Sequence, residues 1–111
     1  MASLPKSHSP SVEEALGIAR VAALLGVHPR TVERRHMSGK KLRPLEAQRE
    51  AKLRRIWKEL VDLFTTENAV RWLEGPVPVL EGRRPLDVMA EEGGLDRILD
   101  VIGRMSWGLP A

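Results

Sequence analysis

The sequence has no cysteine and no tyrosine, and only one phenylalanine. Without thiols there are no disulfides, no cysteine nucleophile and no Cys-rich zinc site. Charge-free stretches are short, Val21 to Pro29 being typical, and fall well below the ~20 apolar residues of a spanning helix. The first ten residues, with Pro5, Lys6, Ser7, His8, Ser9 and Pro10, lack the apolar stretch of a secretion signal, so a cytoplasmic protein with no membrane association is expected. Catalytic groupings are missing as well. His8, His28 and His36 do not stand at metal-ligand spacing, and no glycine-rich phosphate loop follows a strand. Asp96 and Asp100, four residues apart beside Arg97 and Arg104, have the pattern of a solvated helix face. The expectation is a protein that is not an enzyme and holds no metal or cofactor.

What is present is an ordinary soluble balance of 42% hydrophobic and 30% charged residues over 111 positions, enough for one compact domain or two very small ones sharing a core. The charge is uneven. Residues 1–64 carry 13 basic and 7 acidic side chains, whereas residues 65–111 carry 5 and 8. Between His28 and Lys58 the imbalance steepens to 11 basic against 3 acidic. Two surfaces with two kinds of partner are one reading of such a split. For Arg49, Lys52, Arg54, Arg55 and Lys58 the plainer reading is a solvated face interspersed with Glu46, Glu50 and Glu59.

Helix signals punctuate the chain from end to end. Residues 1–10 read as a mobile arm. Ser11 with Glu14 forms a capping-box pattern, Gly17 interrupts, and Ile18, Val21, Ala22 and Leu25 recur at helical spacing before Gly26. Pro29 suits a first turn, Ser38-Gly39 a stop, and Pro44 opens a long helix with Leu45, Leu53, Ile56, Leu60 and Phe64 on one stripe. Thr65-Thr66 caps a further helix, Gly75, Pro76 and Pro78 break the chain around Val77 and Val79, and Pro85 restarts it. Gly93-Gly94 reads as the stop of that helix, and Leu95, Ile98, Leu99 and Ile102 mark the last one, which fades at Gly103 or a few residues beyond. The predicted class is all-α: an arm at 1–10, a helix-turn-helix unit with a long connecting helix at 11–64, and a small helical domain at 65–111.

The segment Ile18 to Val32 meets the steric demands of a helix-turn-helix. Ala22 is small where the second helix crosses, Gly26 permits a tight turn, and Val21, Leu25, Val27 and Val32 lock the pair. Cations follow on the second helix or just after it. Arg30 and Arg34 are one turn apart and suit guanine edges, Thr31 or Glu33 suit neighbouring bases, and Lys40, Lys41 and Arg43 suit the phosphate backbone of double-stranded DNA. A monomeric unit of this size makes few contacts, so a homodimer or larger assembly is expected.

With those residues in view, Ile18 to Lys40 resembles an Xre-type helix-turn-helix, through Arg30-Thr31-Val32, Arg34 and Ser38-Gly39-Lys40. From about Phe64 the chain resembles the toxin-binding domain of the Xre/MbcA/ParS antitoxins, through Trp72-Leu73, Pro76, Leu80, Gly82, Pro85-Leu86-Asp87, Gly94, Ile98 and Gly108. The resemblance implies the antitoxin of a type II module. Its partner would be a RES-domain toxin that consumes NAD⁺, with active-site blockade and repression of its own promoter. Three positions depart from the pattern: Arg35 replaces an aromatic under the recognition helix, His28 replaces a serine cap and should weaken it, and Trp107 is unusual so late in the chain.

Read as residues, Trp72, Leu73, Leu80 and Leu86 belong to a core, and Pro85 with Asp87 to a helix start. The segment Arg104, Met105, Ser106, Trp107, Gly108, Leu109, Pro110 and Ala111 is instead the expected toxin-binding element, with Arg104 and a terminal carboxylate as its only charges. A tryptophan is a frequent binding anchor, and Pro110 lowers the cost of ordering. The plainer alternative has Trp107 folding back on its own core while the last residues fray. For the whole chain, the alternative is a helix-turn-helix transcriptional regulator whose second half dimerises or senses a small ligand.

Overall fold

The computed structural model describes residues 10–39 and 41–109, with the side chains of His36 and Ser38 left aside. Among these residues the fold is all-α. Its helices are α1 (Val12–Leu16), α2 (Ile18–Leu25), α3 (Pro29–Ser38), α4 (Pro44–Leu63), α5 (Thr66–Glu74), α6 (Pro85–Met89) and α7 (Gly94–Ser106), with one 3₁₀ turn at Pro78–Leu80. Extended backbone pairs at a single antiparallel bridge, Val77 to Arg83. Val79, a possible strand residue by sequence, sits in the 3₁₀ turn and faces water.

Local chemistry sets most of the boundaries. Ser11 Oγ accepts from Glu14 N at 3.2 Å while Glu14 accepts from Ser11 N at 3.0 Å, closing the capping box of α1. Gly26 takes φ 77° and ends α2, a conformation that an L side chain there would adopt only under strain. Thr65 Oγ1 accepts from Asn68 N at 3.2 Å to start α5. At α4 the Glu46 carboxylate accepts from Arg43 N at 3.1 Å, and Pro44 occupies the first turn.

The 20 residues of α4 span about 30 Å and form the axis of the molecule, packing on α7, α5 and α2. Leu53, Ile56, Trp57 and Leu60 line its buried face. They join Val21, Leu25 and Val32 from the first half, and Leu73, Leu80, Ile98 and Ile102 from the second, in one hydrophobic core. Trp57, which the sequence stripe left out, is buried and donates its indole N–H to the Pro10 carbonyl at 3.0 Å.

Three expectations are corrected here. Leu45 lies on the α4 stripe yet is 64% exposed, because it stands at an open groove shared with Met89, Gly93 and Leu95 rather than in the closed core around Leu53. Gly94 does not stop a helix; α6 ends at Met89 and Gly94 opens α7, pressed against the Val88 carbonyl. His28 is a working cap, since its Nδ1 accepts from Arg30 N at 3.1 Å and satisfies an amide at the start of α3.

Candidate functional site

Two surfaces carry the residues singled out by the sequence, and α4 and the shared core lie between them. The first is the outer face of α3. Arg30, Glu33, Arg34 and Met37 recur at helical spacing and are all exposed, Met37 at 89%. Among the described residues Arg30 has no ion-pair partner. Thr31 is half-buried and lines one groove with Gly26, Val27, His28, Lys41 and Arg43. The structure therefore brings Thr31 and Lys41 together beside the turn and leaves Arg30, Glu33 and Arg34 on the helix face. Lys40 lies outside the described residues. Met37 was missed by sequence reasoning, although it stands seven residues after Arg30 and so shares its face.

Behind that face, Arg35 takes the opposite direction. Its guanidinium donates to the Glu50 carboxylate of α4. Arg54 donates to Glu50 at 3.2 Å and to both oxygens of Glu13 of α1, at 3.3 and 2.8 Å. Glu13 is the buried charged residue of the set, at 8% exposure. This network lines an open cleft of about 100 Å³ together with Leu25, Val32 and Leu42. Where the resemblance leads one to expect an aromatic under the recognition helix, the chain has an ionic tie from α3 through α4 to α1. Burial disfavours the Glu50 charge, but Arg35 and Arg54 outweigh it and hold the carboxyl below its usual range.

Most of the basic residues of α4 are spoken for by carboxylates. Lys52 pairs with Asp96 at 2.9 Å, Arg54 with Glu13 and Glu50, and Arg55 with Glu59 at 3.9 Å. The solvated-face reading of these side chains fits better than an extension of the cationic surface.

The second surface is the end of α7. Here the chain does not fray within the described residues. Gly108 N donates to Met105 O at 3.0 Å and Leu109 N donates to Arg104 O at 3.0 Å, with Gly108 at φ 78°. These are the paired bonds of a Schellman cap, which turns the backbone and fixes its direction. Met105 packs on the core, Ser106 Oγ donates to Ile102 O at 3.1 Å, and Arg104 faces Asp100 at 3.7 Å. Trp107 is 86% exposed and Leu109 is 54% exposed. The alternative in which Trp107 folds back on its own core is therefore overturned: the cap turns the chain with the indole outward. Pro110 and Ala111 lie outside the described residues. The remaining residues behave as expected for a core, with Leu73, Leu80 and Leu86 buried and Trp72 half-buried against it. Asp87 sits in the first turn of α6 and accepts from Arg84 at 2.9 and 3.0 Å.

Comparison with known proteins returns the same resemblance. Residues 59–108 match the Antitoxin Xre/MbcA/ParS C-terminal toxin-binding domain. Over 93 residues the chain is 29% identical to the antitoxin Xre of Yersinia enterocolitica serotype O:8 / biotype 1B, covering 82% of this chain. It spans 63% of the length of that curated relative. A chain of the crystallised M. tuberculosis MbcT-MbcA toxin-antitoxin complex superposes with a TM-score of 0.71 at 27% identity, covering 89% of this chain and 90% of that one.

Proposed function

We propose that this chain, which resembles the Xre/MbcA/ParS-type antitoxins in sequence and in fold, is the antitoxin of a two-component module. On this reading it neutralises a RES-domain, NAD⁺-consuming toxin by seating the end of α7 at the mouth of the toxin's active site. The observation that carries the proposal is Trp107, 86% exposed on a capped helix end inside the stretch that matches a toxin-binding domain. An indole held out by a fixed backbone loses little entropy on entering a pocket, the property of a binding anchor. Leu109 extends the same apolar surface, and Arg104, Met105, Ser106 and Gly108 set its direction. The experiment is to delete Ser106 to Ala111, confirm by circular dichroism that the helix content survives, and follow NAD⁺ loss with the toxin present. Toxin activity should return; a truncated chain that still binds and fully silences the toxin would rule the tail out as the plug.

The same proposal gives α2 and α3 the task of repressing the module's own promoter. Arg30 and Arg34 would read base edges in the major groove, Thr31 and Glu33 adjacent bases, and Lys40 and Lys41 the phosphates. Support comes from a short helix crossing a second one at a glycine turn, with cations on its open face and Val32 on its closed one.

A further inference from the structure

The nine glycines sort by what the chain demands of them. Gly17, Gly26, Gly39, Gly82, Gly93 and Gly108 have φ between 66° and 92°, a region that other residues avoid. At Gly94 a Cβ would lie 1.6 Å from the Val88 carbonyl oxygen, and at Gly75 it would meet the Arg71 carbonyl oxygen at 3.2 Å. Gly103 has none of these reasons. Its φ is not positive, it lies inside α7, and among the described residues nothing stands within 4 Å of the position its Cβ would take. A glycine at such a place weakens the helix through backbone entropy and gains the chain no internal contact.

The surroundings of Gly103 point to where its use lies. One turn away on the helix surface are Leu99, Asp100, Ser106 and Trp107. Leu99 is partly buried against the core, Asp100 faces Arg104 at 3.7 Å, and the Ser106 hydroxyl donates to its own helix. The polar neighbours are thus already engaged within α7. What remains open is a bare stretch of helix backbone next to the exposed Trp107 indole, continuous with the surface assigned above to the toxin and inside the matched residues 59–108. We propose that Gly103 is the point of closest approach between α7 and the toxin: a backbone segment of the toxin crosses α7 there while Trp107 enters an adjoining pocket. This inference rests on the toxin-neutralising reading and adds to it the contact that sets the angle and depth of docking.

Gly103→Ala tests it, because fold and binding should move in opposite directions. In the full chain the substitution should raise Tm by about 4 °C. Titrated against the toxin of the proposed module, it should weaken Kd by about tenfold or more, with Gly103→Leu weaker still. An unchanged Kd alongside the raised Tm would overturn the close approach and leave the antitoxin reading standing, since wild type would still bind. A Tm that does not rise would overturn the premise that the fold has no need of this glycine. Loss of self-association in light scattering with an unchanged toxin Kd would assign the face to a second copy and overturn the proposal. Wild type failing to bind the toxin at all would overturn both this inference and the reading beneath it.

Discussion

Arg30 and Arg35 occupy one helix and meet opposite fates. Arg30 begins the open face of α3, whereas Arg35, five residues on, turns toward α4 and ties itself to Glu50. Nothing in the two side chains distinguishes them; helical phase does. If Arg30 reads bases, Arg30→Ala should weaken binding to the cognate promoter by ~1–3 kcal/mol and blur its sequence preference. Lys41→Ala should weaken specific and random duplexes alike and reduce the dependence of affinity on salt. Salt-titrated binding to the module's upstream DNA and to a scrambled duplex separates the two, and equal behaviour of the variants would contradict the assignment.

At the level of elements, α3 is held on its inner side by two kinds of contact. Val32 and Leu25 pack its inner face, and the ionic tie through Glu50 and Arg54 reaches α1. The sign of the pH effect follows from Glu50, whose folded pKa is lowered below the ordinary 4.5 because Arg35 and Arg54 outweigh burial. The stability that its charge contributes is complete above 4.5 and is lost as the pH falls through the folded value. Glu50→Gln should therefore unfold at lower urea than wild type at pH 7, and the gap should close as the pH drops below 4.5. A gap that stays constant down to pH 3 would show that the tie adds nothing to α3. The end of α7 shows the same principle without charge, since its Schellman cap positions Trp107 through backbone bonds alone.

The whole molecule is organised around α4, which contributes Leu53, Ile56, Trp57 and Leu60 to a core shared by both halves. A residue such as Leu60, fully buried on that axis, should cost about 2–5 kcal/mol when cut to alanine. Because the core is continuous, the loss should appear as one shifted transition seen equally by circular dichroism and by tryptophan fluorescence, rather than as the melting of one half. If α3 does read a promoter, as proposed above, a single copy offers few base contacts and tight binding would call for two such helices. Light scattering should accordingly find a dimer or a larger antitoxin-toxin assembly, and a monomer both free and in complex would contradict this.

The sequence by itself determined most of the helix boundaries, because caps and breakers act over three or four residues. Ser11 with Glu14, Gly26, Pro29, Pro44, Thr65 and Pro85 stand where the chain starts or stops a helix. It also determined which faces of α2 and α7 are apolar, since a repeat near 3.6 residues is visible in the letters. Other features were settled only by packing between distant segments. Leu45 and Leu53 carry the same side chain on the same stripe, but α7 and its neighbours cover one and not the other. Arg35 lies in a run of basic residues, and only the approach of α4 supplies the carboxylate that turns it inward. Gly93 and Gly94 look alike in the sequence, yet the second is required by a carbonyl six residues upstream in α6. Whether Trp107 closes on the core or stands in water was equally open, because both outcomes suit an apolar segment. The three-dimensional direction of the α7 cap decided it, leaving the indole outside.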